Sequence, residues 1–203
     1  MVTTNRMQNA ECRMQNQSRS FFILNSAFCI LHSAFIGTIP FVSELDPAVQ
    51  RHLDTLGLTY QILDCNPEWA DTDVFCANYN IPRQNAANTI LVASKSEPKQ
   101  YSACLVLATT KLDVNHAVSR LMGIKRLSFA SADETKAVTG QLIGGVTVFA
   151  LPDSIPLYVD ARIMDAEYVI VGGGNRSTKI RLSPRELERI PGVVVAPIAL
   201  ERI

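Results

Sequence analysis

An α+β fold, with a mixed and mainly antiparallel sheet and short surrounding helices, is predicted by two features of the sequence. Strand-like segments come in adjacent groups instead of alternating one by one with long helices, which disfavours a doubly wound parallel sheet. The helical segments are short, and each is set off by its own capping residues. With 203 residues and a 47% hydrophobic composition, the chain has room for one domain with a core of its own.

Asp46-Pro47 opens the first helix, with Asp as N-cap and Pro at N1. Val49, Leu53 and Leu56 share one face, and Gly57 stops it. A strand follows at Tyr60–Leu63, then a loop through Asn66-Pro67 and a short helix near Asp71–Tyr79. "NTILVAS" (88–94) and "YSACLVLA" (101–108) read as two strands of a hairpin, joined by the polar turn "KSEPKQ". Asp113 caps a helix carrying Val114, Ala117, Val118 and Leu121, and Gly123 ends it. "RLSFA" is a strand, and Ser131-x-x-Glu134 is a capping box for one or two helical turns. In "TGQLIGGVTVFALP" (139–152), glycines interrupt an apolar β-branched run, which predicts a bend where a helix enters a strand. "PLYVDA", a short helical turn, "EYVIV", the turn "GGGN" and the strand "TKIRL" follow. Ser183-Pro184-x-Glu186 is a second capping box, its helix ending at Pro191-Gly192, and "VVVAPI" is the last strand.

Nineteen basic and nineteen acidic residues balance, but unevenly along the chain. From Phe41 to Asn80, Arg51 is the sole Lys or Arg, and beyond Ile81 basic residues outnumber acidic ones. No global basic field would draw in a nucleic acid, so such a partner would need a local patch. The five cysteines contain no CxxC pair and the three histidines no HExxH, so neither a disulfide framework nor a metal is expected. Cys104 falls within an apolar run and is expected in the core.

Residues 1–40 differ from the rest. "RMQNAEC" is followed by "RMQNQSR", and "ILNSAFC" by "ILHSAFI", two pairs of near-identical heptads. Phe21–Ile39 is apolar enough to resemble a membrane span or signal segment, but its repetition is better explained as translated repetitive DNA upstream of the true start. The expected division is a repetitive leader, 1–40, disordered or a mis-assigned start, and a folded domain, 41–203.

No P-loop and no GxSxG elbow is present. Gly172-x-Gly174 follows a strand, but "NRSTKIRL" after it reads as another strand, so the helix N-terminus that would hold a pyrophosphate is missing. A hairpin turn with Asn175 is the simpler reading.

Taken in order, "NTILVAS", "VNHAVSRLMGIKRLSFAS", "TGQLIGGVTVFALP", "PLYVDARIMD" and "VIVGGGNRSTKIRL" resemble the YbaK/ProX family of aminoacyl-tRNA deacylases, whose domain also occurs as an editing insertion in bacterial prolyl-tRNA synthetases. The resemblance spans about Leu45 to Ile198. It implies a mixed-sheet, barrel-like, cytoplasmic domain without a cofactor that hydrolyses the ester of a mischarged tRNA in trans. Its partner would be the tRNA acceptor end, with a synthetase as a second partner and neither DNA nor a membrane involved. Backbone N–H groups can stabilise the oxyanion of an already labile ester, and glycine lets them approach. A small pocket would act as a second sieve.

On this resemblance Asn88, Gly144, Gly145 and Thr147 are the candidate catalytic residues. Thr139, Gly140, Gly172, Gly173 and Gly174 would bind substrate, and Lys125, Arg126, Arg176 and Lys179 the tRNA backbone. Asp160 is expected to be a structural acceptor and not a base. Two departures stand out. Many members carry a lysine where this chain has Asn88, and a proline where it has Val148, with a glycine two positions on where it has Ala150. Asparagine supplies hydrogen bonds but no charge. A binding module that keeps the fold without catalysis is the competing expectation.

Overall fold

The computed structural model describes residues 44–202. The heptad repeats and the apolar segment before Phe41 lie outside the described residues.

The first helix, α1 (Pro47–Leu56), forms as its caps dictate. The Asp46 carboxylate accepts from the N–H groups of Ala48 and Val49, and Gly57 closes the helix in the left-handed region. Val49 and Leu53, one turn apart, are fully buried. Strand β1 (Tyr60–Asp64) leads to α2 (Thr72–Asn78), then β2 (Ala87–Ser94) and β3 (Tyr101–Leu107). These last two pair antiparallel from Ala87–Leu107 to Ala93–Tyr101, the expected hairpin. Next come β4 (Thr110–Leu112), a π-helical turn Val114–Val118 that runs into α3 (Ser119–Met122), β5 (Leu127–Phe129) and α4 (Ala132–Thr139). The reciprocal Ser131–Glu134 capping box opens α4. The remainder is β6 (Leu157–Asp160), a 3-10 turn, β7 (Val169–Gly172), β8 (Thr178–Leu182), α5 (Pro184–Leu187), β9 (Val194–Ala196) and β10 (Ala199–Glu201).

The strands form three ladders, ordered β5-β2-β3-β6-β9, β1-β8-β7 and β10-β4. Pairing is antiparallel except for β3–β6 and β6–β9. The fold is thus α+β with a mixed, mostly antiparallel set of sheets. A single bridge, Ala86 to Ile170, links the two larger ladders, and no closed ring of ladders is present among the described residues.

Strand alternation divides the core. Leu91, Leu105 and Val159 face α1 and the β1-β8-β7 sheet, whereas Val92, Cys104, Val106 and Tyr158 face Val114, Val118 and Ile198. Each fully buried aliphatic side chain contributes roughly 1.5–3 kcal/mol relative to exposure. Burial pushes the Cys104 thiol up to about 12, in keeping with a core residue.

Two local expectations are corrected, and two strands come in addition. No strand follows Gly145: side chains occupy the backbone groups a ladder would use. Gln141 accepts from Thr147 N–H at 2.7 Å and donates to the Phe149 carbonyl at 2.9 Å, while His52 Nδ1 accepts from Ala150 N–H at 2.7 Å. Ser183 accepts from Arg185 N–H and Glu186 pairs with Arg189, so the second capping box does not form and α5 is one turn long. Strands β4 and β10, short and paired only with each other, were not expected.

Candidate active site

Two glycine stretches cross at the heart of the domain. Gly174 N–H donates to the Gly145 carbonyl at 2.8 Å. A Cβ on Gly145 would strike the Asn175 carbonyl, and one on Gly172 would strike the carbonyls of Gly145 and Val146. The closeness these glycines permit is therefore first of all that of one loop to another. Asn175 Oδ1 then accepts from Ser177 N–H and from the Thr178 hydroxyl, closing the β7–β8 hairpin turn.

This crossing forms one wall of a cavity of about 400 Å³. The start of α2 supplies Asp71, Thr72 and Asp73, and β2 supplies Asn88, Thr89 and Leu91. Gly144, Gly172, Lys179 and Arg202 complete the parts that bear on its chemistry. The Thr72 hydroxyl donates to Asn88 Oδ1 in a short contact, leaving the amide Nδ2 as the group able to donate to a ligand. The Thr89 hydroxyl is buried without a partner among the described residues.

Lys179 is only 6% exposed, unusual for a lysine. Its Nζ donates to the carbonyls of Ala70 and Gly144, both at 2.7 Å, and lies 5.4 Å from the centre of the Phe75 ring. Burial lowers its pKa below the usual lysine range, and nearby Arg176 lowers it further, while Cys65 and Asp71 act in the opposite sense. An ammonium with three N–H donors and two carbonyl partners retains one donor.

Of the residues expected from sequence, Asn88, Gly144, Gly172 and Lys179 meet at the cavity. Gly145, Gly173 and Gly174 stand behind it in the loop crossing. Lys179 is corrected from a surface contact for the tRNA backbone to a buried cation, because α2 and its preceding loop cover the outer face of β8. Arg176 is likewise committed. It donates to the carbonyls of Pro67 and Ile143 and pairs with Asp71 at 3.3 Å, bracing the Gly144 loop. Thr147 is fully buried outside the cavity lining, as its backbone bond to Gln141 turns it into the core. Thr139 and Gly140 end α4, where the Thr139 hydroxyl donates to Thr135 and accepts from Gln141 N–H. Lys125 and Arg126 are exposed at the Ser94 end of β2, the end opposite Asn88. Asp160 is fully buried and accepts from Arg162 N–H and Ile198 N–H, as a structural acceptor should.

Asp71, Thr72, Asp73, Thr89 and Arg202 were not among the expected residues. The first three read as an ordinary acidic helix start, and nothing local in the sequence sets them apart.

A mixed set of sheets with a crossed pair of glycine loops beside a polar cavity defines the class, an α+β domain. The family model of the aminoacyl-tRNA editing domain matches residues 66–190, and the chain belongs to that family. Among solved structures, a hypothetical protein is similar with 27% identity and a TM-score of 0.68, over 75% of this chain and 99% of its own. A candidate trans-editing enzyme for prolyl-tRNA synthetase shares the fold at 22% identity, with a TM-score of 0.66 over 77% and 99% of the two chains. No helix among the described residues is long and apolar enough to cross a membrane.

Proposed function

We propose that residues 41–203 form a domain that hydrolyses the ester of a mischarged tRNA in trans, with the aminoacylated terminal ribose held in the 400 Å³ cavity. The observation that carries this reading is the Lys179 ammonium on the cavity wall, bonded to Gly144 O, in the same pocket as the Asn88 amide. Membership of the editing-domain family supports the substrate class.

Water adds to the ester carbonyl, and the tetrahedral intermediate then expels the ribose hydroxyl, giving a free amino acid and a deacylated 3′ end. Developing negative charge on the carbonyl oxygen is met by the remaining Lys179 donor and by Asn88 Nδ2, in a pocket where such bonds gain strength from exclusion of water. Asp71 and Asp73 stand at the rim, each already paired with an arginine, Arg176 at 3.3 Å and Arg83 at 2.7 Å. The cavity's size restricts which amino acid enters. Asn88 does not need to be cationic in this scheme, because the charge comes from β8.

The full chain, in excess over tRNA, is incubated with a panel of mischarged tRNAs. Acceleration on at least one, lost in Lys179→Met, is the expected result. Binding without acceleration on any tRNA would replace this reading with that of a non-catalytic tRNA- or synthetase-binding module, which the loss of the strand lysine at Asn88 favours.

A further inference from the structure

A second groove, of about 680 Å³, adjoins the candidate site and shares Asn88, Ile90 and Arg202 with it. Its floor is apolar, made by Ile90, Val106 and Leu112 at the open end of the second core face. Two large side chains at its edges remain in solvent: Phe129 is 56% exposed and Leu200 52%. Phe129 stands opposite Val92 in the β2–β5 ladder, so its ring lies on the same sheet face as Ile90. The rim carries Lys111 and Arg202 against one carboxylate, Glu201. Arg202 is anchored at the junction of groove and cavity by a 3.0 Å bond from Nε to the Thr110 carbonyl. Lys111 has no ion-pair partner among the described residues.

An exposed aromatic ring beside cations is the arrangement that receives single-stranded nucleic acid, with the ring stacking a base and the cations meeting phosphates. We propose that this groove takes the nucleotides that precede the terminal ribose. The base before the terminal nucleotide stacks on Phe129, Arg202 meets the phosphate that joins the two nucleotides, and Lys111 meets the next phosphate outward. The proposal rests on the terminal ribose entering the adjoining cavity, because the strand must then leave it past Asn88, Ile90 and Arg202. Continuity with that cavity and the excess of cations on the rim favour RNA over a second copy of the chain or an apolar peptide.

The test uses the full chain and an uncharged RNA minihelix ending in single-stranded CCA, with the same minihelix lacking those three nucleotides as control. The intact end should bind about tenfold more tightly than the truncated one, the scale expected for stacking of one base. Phe129→Ala and Lys111→Ala should each remove most of that advantage, and Phe129→Tyr, which keeps the ring, should retain it. Equal affinity for the two RNAs, or Phe129→Ala and Lys111→Ala variants that keep the full advantage, would overturn the proposal. So would a dimer of the parent chain, seen by sedimentation, that Phe129→Ala dissolves. Hydrolysis is scored separately on minihelices mischarged with the same panel of amino acids. Its absence in the parent would remove the catalytic reading of the cavity and leave the binding comparison intact.

Discussion

Lys179 decides the electrostatics of the candidate site. A lysine whose pKa is lowered by burial keeps its proton only below that lowered value, and ammonium-dependent deacylation needs that proton. After subtraction of the hydroxide-driven background, it should be lost as pH rises, before the ordinary lysine range is reached. A limb that coincides with free lysine, or no limb, would count against the assignment. Stability follows the opposite sign. Between the lowered folded value and the usual unfolded one, the unfolded chain binds more protons, so stability attributable to this group rises with pH through that interval. Lys179→Met should flatten that rise in denaturant titrations. It also leaves the Ala70 and Gly144 carbonyls without their donor, a cost of about 1–3 kcal/mol near neutrality.

At the scale of elements, the segment from Gly140 to Pro156 is held by side chains and not by a ladder. Ala150 sits at φ +56°, where the family resemblance places a glycine. A left-handed alanine costs roughly 1–2 kcal/mol, and glycine's extra unfolded-state freedom returns about 0.5–1 of that. Ala150→Gly should therefore raise unfolding stability by about 0.5 kcal/mol, read as a shift in the denaturant midpoint at unchanged slope. A loss of stability would show that the methyl group, packed against the core, is worth more than the strain. Gly145→Ala is the contrasting case. Its Cβ meets backbone on the facing loop, which cannot swing aside as a side chain can. Separation of the loops should cost about 3 kcal/mol or more, measurable as a lowered denaturant midpoint.

Across the whole molecule, Asp160 ties distant parts of the chain. From the end of β6 its carboxylate caps the 3-10 turn through Arg162 N–H at 2.9 Å and reaches Ile198 N–H at 3.2 Å, just before β10. Arg162 in turn donates to the Ala199 carbonyl at 2.6 Å. Hydrogen bonds to a buried charged acceptor are worth about 1.5–3 kcal/mol each, so Asp160→Ala should destabilise the domain by about 3 kcal/mol or more. Hydrogen exchange should show β10 and its partner β4 losing protection first, while the β2–β3 hairpin keeps it. Uniform loss across all strands would mean that the C-terminal strand is not separately held.

The sequence by itself determined what local chemistry can determine. Cap residues such as Asp46, Ser131 and Gly57 placed helices, because their hydrogen bonds span only a few residues. Runs such as "ILVAS" and "CLVLA" placed the central hairpin, because a strand buried on both faces must be apolar throughout. The glycine blocks and "VDA" led to the family. What only the tertiary structure decided is which polar groups share a pocket. In "TKIRL", simple alternation puts Lys179 on an outer, solvated face. That face is outer only within its own sheet, and α2 with residues 67–71, more than a hundred positions earlier, covers it. The same packing joined Thr72 to Asn88 and turned Thr147 inward. It also gave Gly145 of "TGQLIGG" its immediate purpose, the passage of one backbone against another. A residue's chain neighbours govern its conformation, but its dielectric surroundings and its partners come from segments brought close only by folding, and the charge of this site resides there.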